Sequence, residues 1–118
     1  MKYVALIYTD PTEWDGVPQD QVEKIYQEYA AISQEPVVTG GAQLQPADTT
    51  TAVRVRDGKT MTTDGPFAET KEQLGGYYLI EVDSVDEAIE WAAKIPSAQL
   101  GSIEVRPVVP SRVEASAG

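Results

Sequence analysis

Two runs of strand length, residues 3–8 (Tyr-Val-Ala-Leu-Ile-Tyr) and residues 77–82 (Tyr-Tyr-Leu-Ile-Glu-Val), carry apolar side chains at successive rather than alternate positions. Successive side chains of a strand point to opposite faces of its sheet. Both runs therefore place apolar groups on both faces, and a sheet built on them needs cover on each side. That requirement decides which architectures suit the chain.

The signals between the runs supply one cover. Asp10-Pro11 closes the first run, and Trp14, Gly16 and Pro18 mark a loop. Asp20-Gln21-Val22-Glu23 reads as a capping box, with Val22, Ile25, Tyr26 and Tyr29 on one face of the helix behind it and Pro36 at its end. Val37-Val38-Thr39 is a short strand stopped by Gly40-Gly41. Val53-Arg54-Val55-Arg56, Asp57-Gly58 and Lys59-Thr60-Met61-Thr62 form an alternating hairpin about a type I′ turn. Its register puts Val53, Val55, Thr60 and Thr62 on one face and Arg54, Arg56, Lys59 and Met61 on the other. Asp64-Gly65-Pro66-Phe67 is a turn, and Gly75-Gly76 opens the second apolar run. A second capping box, Ser84-Val85-Asp86-Glu87, starts a helix whose apolar face is Val85, Ala88, Ile89 and Ala92 and which ends near Pro96. Residues 102–109 make the last strand, with Ile103 and Val105 alternating with Glu104 and Arg106.

The order β-α-β(β)-β-α-β fits an α+β fold: a ferredoxin-like, split βαβ antiparallel sheet with two helices on one face. Residues 1–110 form the single domain, and residues 111–118 are expected to be a flexible tail. Two helices cover only one face. The other would leave an apolar area on the order of several hundred Å² exposed, and a second copy in a closed two-fold dimer is the simplest cover. The competing reading is that the tyrosines tolerate water.

Composition narrows the chemistry. The 118 residues hold nine Lys and Arg against 19 Asp and Glu, a net charge of −10. That field repels phosphate backbones and anionic lipid, which argues against nucleic-acid and membrane partners. No cysteine and no histidine are present. Disulfides, thiolate nucleophiles, Ser–His–Asp triads and imidazole-based metal sites are therefore excluded. No carboxylate spacing resembles a calcium loop, so neither a metal nor a cofactor is expected. The run after Lys2 is too short for a signal sequence, and the reading is cytoplasmic.

The chemistry-bearing residues cluster in one segment. Asp64, Glu69, Lys71 and Glu72 lie between Gly/Pro turns, with Arg54 in the neighbouring hairpin and Tyr78 just downstream. As a ligand site, Arg54, Asp64, Glu69 and Lys71 would hold a small anionic molecule, Arg54 gripping a carboxylate in two-pronged fashion. As a catalytic site, Asp64 would be the base and Tyr78 the proton donor or enolate stabiliser. The plainer reading is that Asp64-Gly65-Pro66 is a turn in its own right and that the charges are solvated.

The run Asp64-Gly65-Pro66-Phe67-Ala68-Glu69-Thr70-Lys71-Glu72-Gln73-Leu74-Gly75-Gly76-Tyr77-Tyr78 resembles the signature of the DGPF, or YCII-related, family. The likeness extends over residues 1–110 and includes Leu6-Ile7-Tyr8, the Asp57-Gly58 hairpin, Ala88-Ile89-Glu90-Trp91-Ala92 and Ile103-Glu104-Val105-Arg106-Pro107. The resemblance implies a ferredoxin-like fold forming a dimeric α+β barrel. It also implies an accessory or small-molecule-binding role linked to transcriptional regulation, since members are often encoded beside extracytoplasmic-function sigma factors, a possible partner. The alternative is a cofactor-independent lyase, isomerase or oxygenase. A His–Asp pair proposed as catalytic in the wider superfamily has no counterpart in a chain without histidine, so that route would need Asp, Tyr and Arg instead.

Overall fold

The computed structural model describes residues 1–66 and 71–110. Strand β1 (Lys2–Thr9) leads through a 3₁₀ turn, Pro11–Trp14, into helix α1 (Gln19–Ser33) and strand β2 (Val38–Gln43). A hairpin follows, β3 (Thr51–Arg56) and β4 (Lys59–Asp64), then β5 (Gln73–Glu81), helix α2 (Val85–Ala93) and β6 (Ser102–Pro107). Four strands form one sheet in the order β2-β5-β1-β6, and the hairpin stands apart as a two-stranded sheet. Every pairing is antiparallel. The four-stranded order and the two helices are those of a ferredoxin-like α+β fold. No helix among the described residues is long and apolar enough to cross a membrane.

The core sits where the two-sided strands meet the helices. Tyr3, Ala5 and Ile7 of β1 and Tyr78 and Ile80 of β5 are buried on one face, with Tyr29 and Ile32 of α1 and Trp91 of α2 packed against them. Register matches sizes across the central pair: Ala5 lies opposite Tyr78, and Tyr3 opposite Ile80. On the opposite face Val4 pairs with Leu79 and Leu6 with Tyr77, and these side chains are only half-buried. This face is the one the sequence leaves without helical cover.

Several elements differ locally from the sequence reading. Helix α1 begins at Gln19 behind Pro18, with no side-chain cap, so Asp20 lies in the first turn instead of capping it. There its carboxylate still favours the positive end of the helix dipole. Ser84 caps α2 as read, its hydroxyl accepting from the Glu87 N–H at 3.3 Å. Only Ala88 and Ala92 of the expected α2 face are buried, however; Val85 and Ile89 are 46% and 52% exposed. Small alanines let the helix approach the sheet, and the larger side chains lie to either side. Strand β2 does not stop at Gly40-Gly41 but runs through it to Gln43, because β5 supplies pairing partners as far as Gly76. The hairpin turn has φ of 53° at Asp57 and 74° at Gly58, the two positive values a type I′ turn requires. The expected tail, residues 111–118, lies outside the described residues, as do Phe67 and Glu69.

Candidate functional site

A cleft of about 800 Å³ opens between α1 and the β2–β5 side of the sheet. The Ile25–Ser33 stretch of α1 forms one wall, β2 and the loop to Pro46 form the other, and Thr9, Pro11 and Trp14 close one end. Trp14, Tyr26, Tyr29, Tyr77 and Tyr78 supply aromatic surface, while Ser33, Ser97, Thr9 and Gln73 supply neutral polar groups. Among the described residues lining it, none carries a charge.

The floor is an ordered hydroxyl network. The rings of Tyr29 and Tyr78 stack with centroids 6.4 Å apart at 26°. The Tyr78 hydroxyl donates to the main-chain oxygen of Tyr29 at 3.0 Å, and Ser33 Oγ donates to the same oxygen at 3.0 Å. Ser33 Oγ also lies 3.3 Å from the Tyr78 hydroxyl. The Tyr29 hydroxyl is hydrogen-bonded to Ser97 Oγ, itself 1% exposed. Burial pushes the Tyr29 phenol above its ordinary range, with the Ser97 hydrogen bonds opposing part of the shift. The ring is thus held neutral.

Glycines shape the opposite wall. Between Ile7 and Tyr8 the β1–β5 register slips, leaving Gly75 as the extra residue of a bulge. A Cβ on Gly76 would come 2.8 Å from the Ala42 oxygen, and one on Gly41 2.5 Å from the Tyr77 oxygen. Side chains at either position would push β2 off β5. The backbone therefore approaches closely where a helix-facing side chain would otherwise fill the cleft.

Between Thr9 and Pro11 at the closed end, but behind the lining and not part of it, lies Asp10, 4% exposed. One carboxylate oxygen accepts from the Thr12 N–H at 2.9 Å and the Thr12 hydroxyl at 2.7 Å. The other faces the Lys71 ammonium at 4.0 Å. The Thr12 hydroxyl, then the Thr12 N–H, and lastly Lys71 hold its acidity stronger than usual against the opposing effect of burial. Asp10 fixes the turn that carries Pro11 and Trp14 into the cleft wall.

The residues expected from sequence to form a site are spread over three places. Tyr78 lines the cleft. Arg54 and Asp64 lie on the hairpin, where Arg54 is opposite Met61 and Asp64 opposite Thr51. Three residues of register separate them, about 10 Å along the ribbon, and an odd offset sends their side chains to opposite faces. Both are exposed. Lys71 is exposed and faces Asp10, Glu72 accepts from the Ser102 hydroxyl at 3.0 Å, and Glu69 is outside the described residues. Four further residues belong to the cleft or its support without being sequence candidates for a site: Tyr29, Ser33, Ser97 and Asp10. For Asp10 the signal was present: Asp-Pro-Thr is an N-cap with proline at the first turn. Among the described residues no group of His, Cys, Asp and Glu is arranged to hold a metal.

The sheet order and helix placement set this chain among ferredoxin-like α+β proteins, with a neutral cleft between the first helix and the sheet edge. More narrowly, it belongs to the YCII-related domain family, which matches residues 1–112. It is similar to an uncharacterised protein of Rhizobium meliloti (strain 1021), 37% identical over an alignment of 114 residues, with 92% of each chain covered.

Proposed function

We propose that this YCII-related protein binds a small, uncharged, ring-containing molecule in the cleft between α1 and β2. The supporting observation is the lining: aromatic faces and neutral hydroxyl and amide groups without an ionised side chain among the described residues, in a chain that carries 28 charged residues. An anion entering such a cleft would lose its hydration without gaining a counter-charge. A neutral ring gains stacking surface and hydrogen bonds. The ligand is therefore neutral, in place of the anion that Arg54, Asp64, Glu69 and Lys71 suggested.

Binding fits the geometry better than turnover. The Tyr78 hydroxyl, read from sequence as a proton donor, gives its hydrogen to the Tyr29 carbonyl, and the Tyr29 phenol is hydrogen-bonded to Ser97 with its acidity weakened by burial, so neither is presented to a substrate as an acid. Asp64, the other catalytic candidate, is exposed on the hairpin. In the accessory role linked to transcription, ligand occupancy would be the signal and a protein such as a sigma factor its receiver. That link is supported by family resemblance alone. The proposal extends to assembly: a second copy covers the half-buried face of Val4, Leu6, Tyr77 and Leu79, giving the two-fold barrel.

Calorimetric titration with 2-naphthol and with 2-naphthoate separates the neutral ligand from the anionic one. The expected result is binding of naphthol at least about tenfold tighter than naphthoate, or ~1.4 kcal/mol, abolished by Ala30→Trp, which fills the cleft from the exposed α1 wall. Equal binding of the two probes, or no effect of Ala30→Trp, overturns the reading.

A further inference from the structure

The hydroxyl groups on the floor of the cleft are already committed. Those of Tyr29, Ser33, Tyr78 and Ser97 bond to one another or to the Tyr29 main-chain oxygen, so they serve the protein before any ligand. Gln43 and Gln45 line the β2 wall but are exposed, and water satisfies their amides there.

The closed end differs. Thr9 and Gln73 are direct partners across the β1–β5 ladder, which puts their side chains on the same face of the sheet. Both line the cleft and both are half-buried. Among the described residues neither side chain has a hydrogen-bond partner. The register slip beside them leaves Gly75 bare, and a side chain there would start 3.6 Å from Thr9 Oγ1 and lie against it. Trp14, half-buried, lines the same end. A carboxamide, a hydroxyl and an aromatic ring therefore gather at one end of a cleft without charge.

The chemistry of a primary carboxamide defines its complement. Its NH₂ donates and its oxygen accepts, side by side in one plane. The matching group offers an acceptor and a donor at the same spacing, as do the C=O and N–H of a cyclic amide, which ring closure holds on one side. Both hydrogen bonds then form together. A ring that displaces water from Gln73 without offering that pair leaves the amide unsatisfied, and this is the source of selectivity.

We propose that Gln73 is the specificity-determining residue of the cleft, and that the ligand is a flat ring carrying a cis C=O and N–H, as in a lactam or cyclic imide, with Trp14 as its stacking surface and Thr9 beside the paired amides. The inference rests on the neutral-ligand reading above and names the group that the ring presents.

2-Quinolone and coumarin test it. They share shape and neutrality and differ at one position, where the lactam N–H of the first is a ring oxygen in the second. In calorimetric titrations of the full chain, 2-quinolone is expected to bind at least about tenfold tighter than coumarin, or ~1.4 kcal/mol. Gln73→Met keeps the length of the side chain and removes both polar groups. It should abolish the preference by weakening 2-quinolone, with coumarin unchanged to within about twofold. Equal binding of the two rings by the unaltered chain, a contrast that depends on no variant, overturns the proposal, and so does a preference that survives Gln73→Met. If 2-naphthol still binds in either case, the neutral-ligand reading stands and the Gln73 contact alone falls. If none of the three rings binds, both fall together.

Discussion

The Tyr78 hydroxyl reaches across from the sheet to the main-chain oxygen of Tyr29, 49 residues earlier, at 3.0 Å, and the two rings stack. This pair pins the C-terminal half of α1 to β5 and so sets the width of the cleft. Removing only the hydroxyl, in Tyr78→Phe, keeps the stack and leaves Ser33 as a donor to the Tyr29 oxygen. The expected cost is about 1 kcal/mol, seen as a lower urea midpoint at unchanged slope. Tyr78→Ala, which also empties the core site opposite Ala5, should cost about 3–5 kcal/mol.

The glycine wall gives a sharper contrast. Gly76→Ala places a methyl group 2.8 Å from the Ala42 oxygen in the paired strand, and the sheet must shift to accept it. Gly58→Ala meets nothing within 4 Å and faces only the positive φ of 74°. The hairpin change should cost about 1 kcal/mol. The Gly76 change should exceed it and should also raise hydrogen exchange of β2 amides, because β2 is held to the sheet through β5 alone. Equal costs would show that β2 adjusts freely.

Much of this arrangement was legible before the fold. Asp57-Gly58 between alternating residues determines a hairpin locally, and Ser84 with Glu87 determines a helix start; both depend on neighbours in sequence. The two-sided apolar strands announced an uncovered face. The cleft was not legible, for a physical reason: it is made of what is missing. Gly40-Gly41 read as a stop and Gly75-Gly76 as the opening of a strand, yet Gly40, Gly41 and Gly76 all lie in paired strand positions and leave space where side chains would stand. The hydroxyl network joins positions 29, 33, 78 and 97, a relation that no local pattern carries. Arg54 and Asp64 looked adjacent because they are close along the chain, while strand parity sends them to opposite faces.

Asp10 makes acid stability a direct readout of the closed end. Its carboxyl is more acidic in the fold than its ordinary value of 3.8, chiefly through Thr12. A carboxylate of lowered pKa stabilises the fold above its unfolded pKa, and the contribution is lost as pH falls through the folded value. Stability should therefore decline below about pH 4, with Thr12 losing its acceptor. Asp10→Asn keeps a hydrogen-bond acceptor but cannot titrate, so its urea midpoint should fall less steeply over that window. Parallel profiles for the two proteins would remove Asp10 from the account.

The central claim is that the neutral cleft, not the charged hairpin, receives the ligand. Amide chemical-shift mapping during titration of the ¹⁵N-labelled chain with 2-naphthol tests it most directly. The account predicts shifts that saturate together at Ala30 and Ser33 of α1, Gly41 to Leu44 and Gly75 to Tyr78, with Arg54 to Asp64 unmoved. Saturating shifts centred on Arg54 and Asp64, with the cleft amides unmoved, would contradict it.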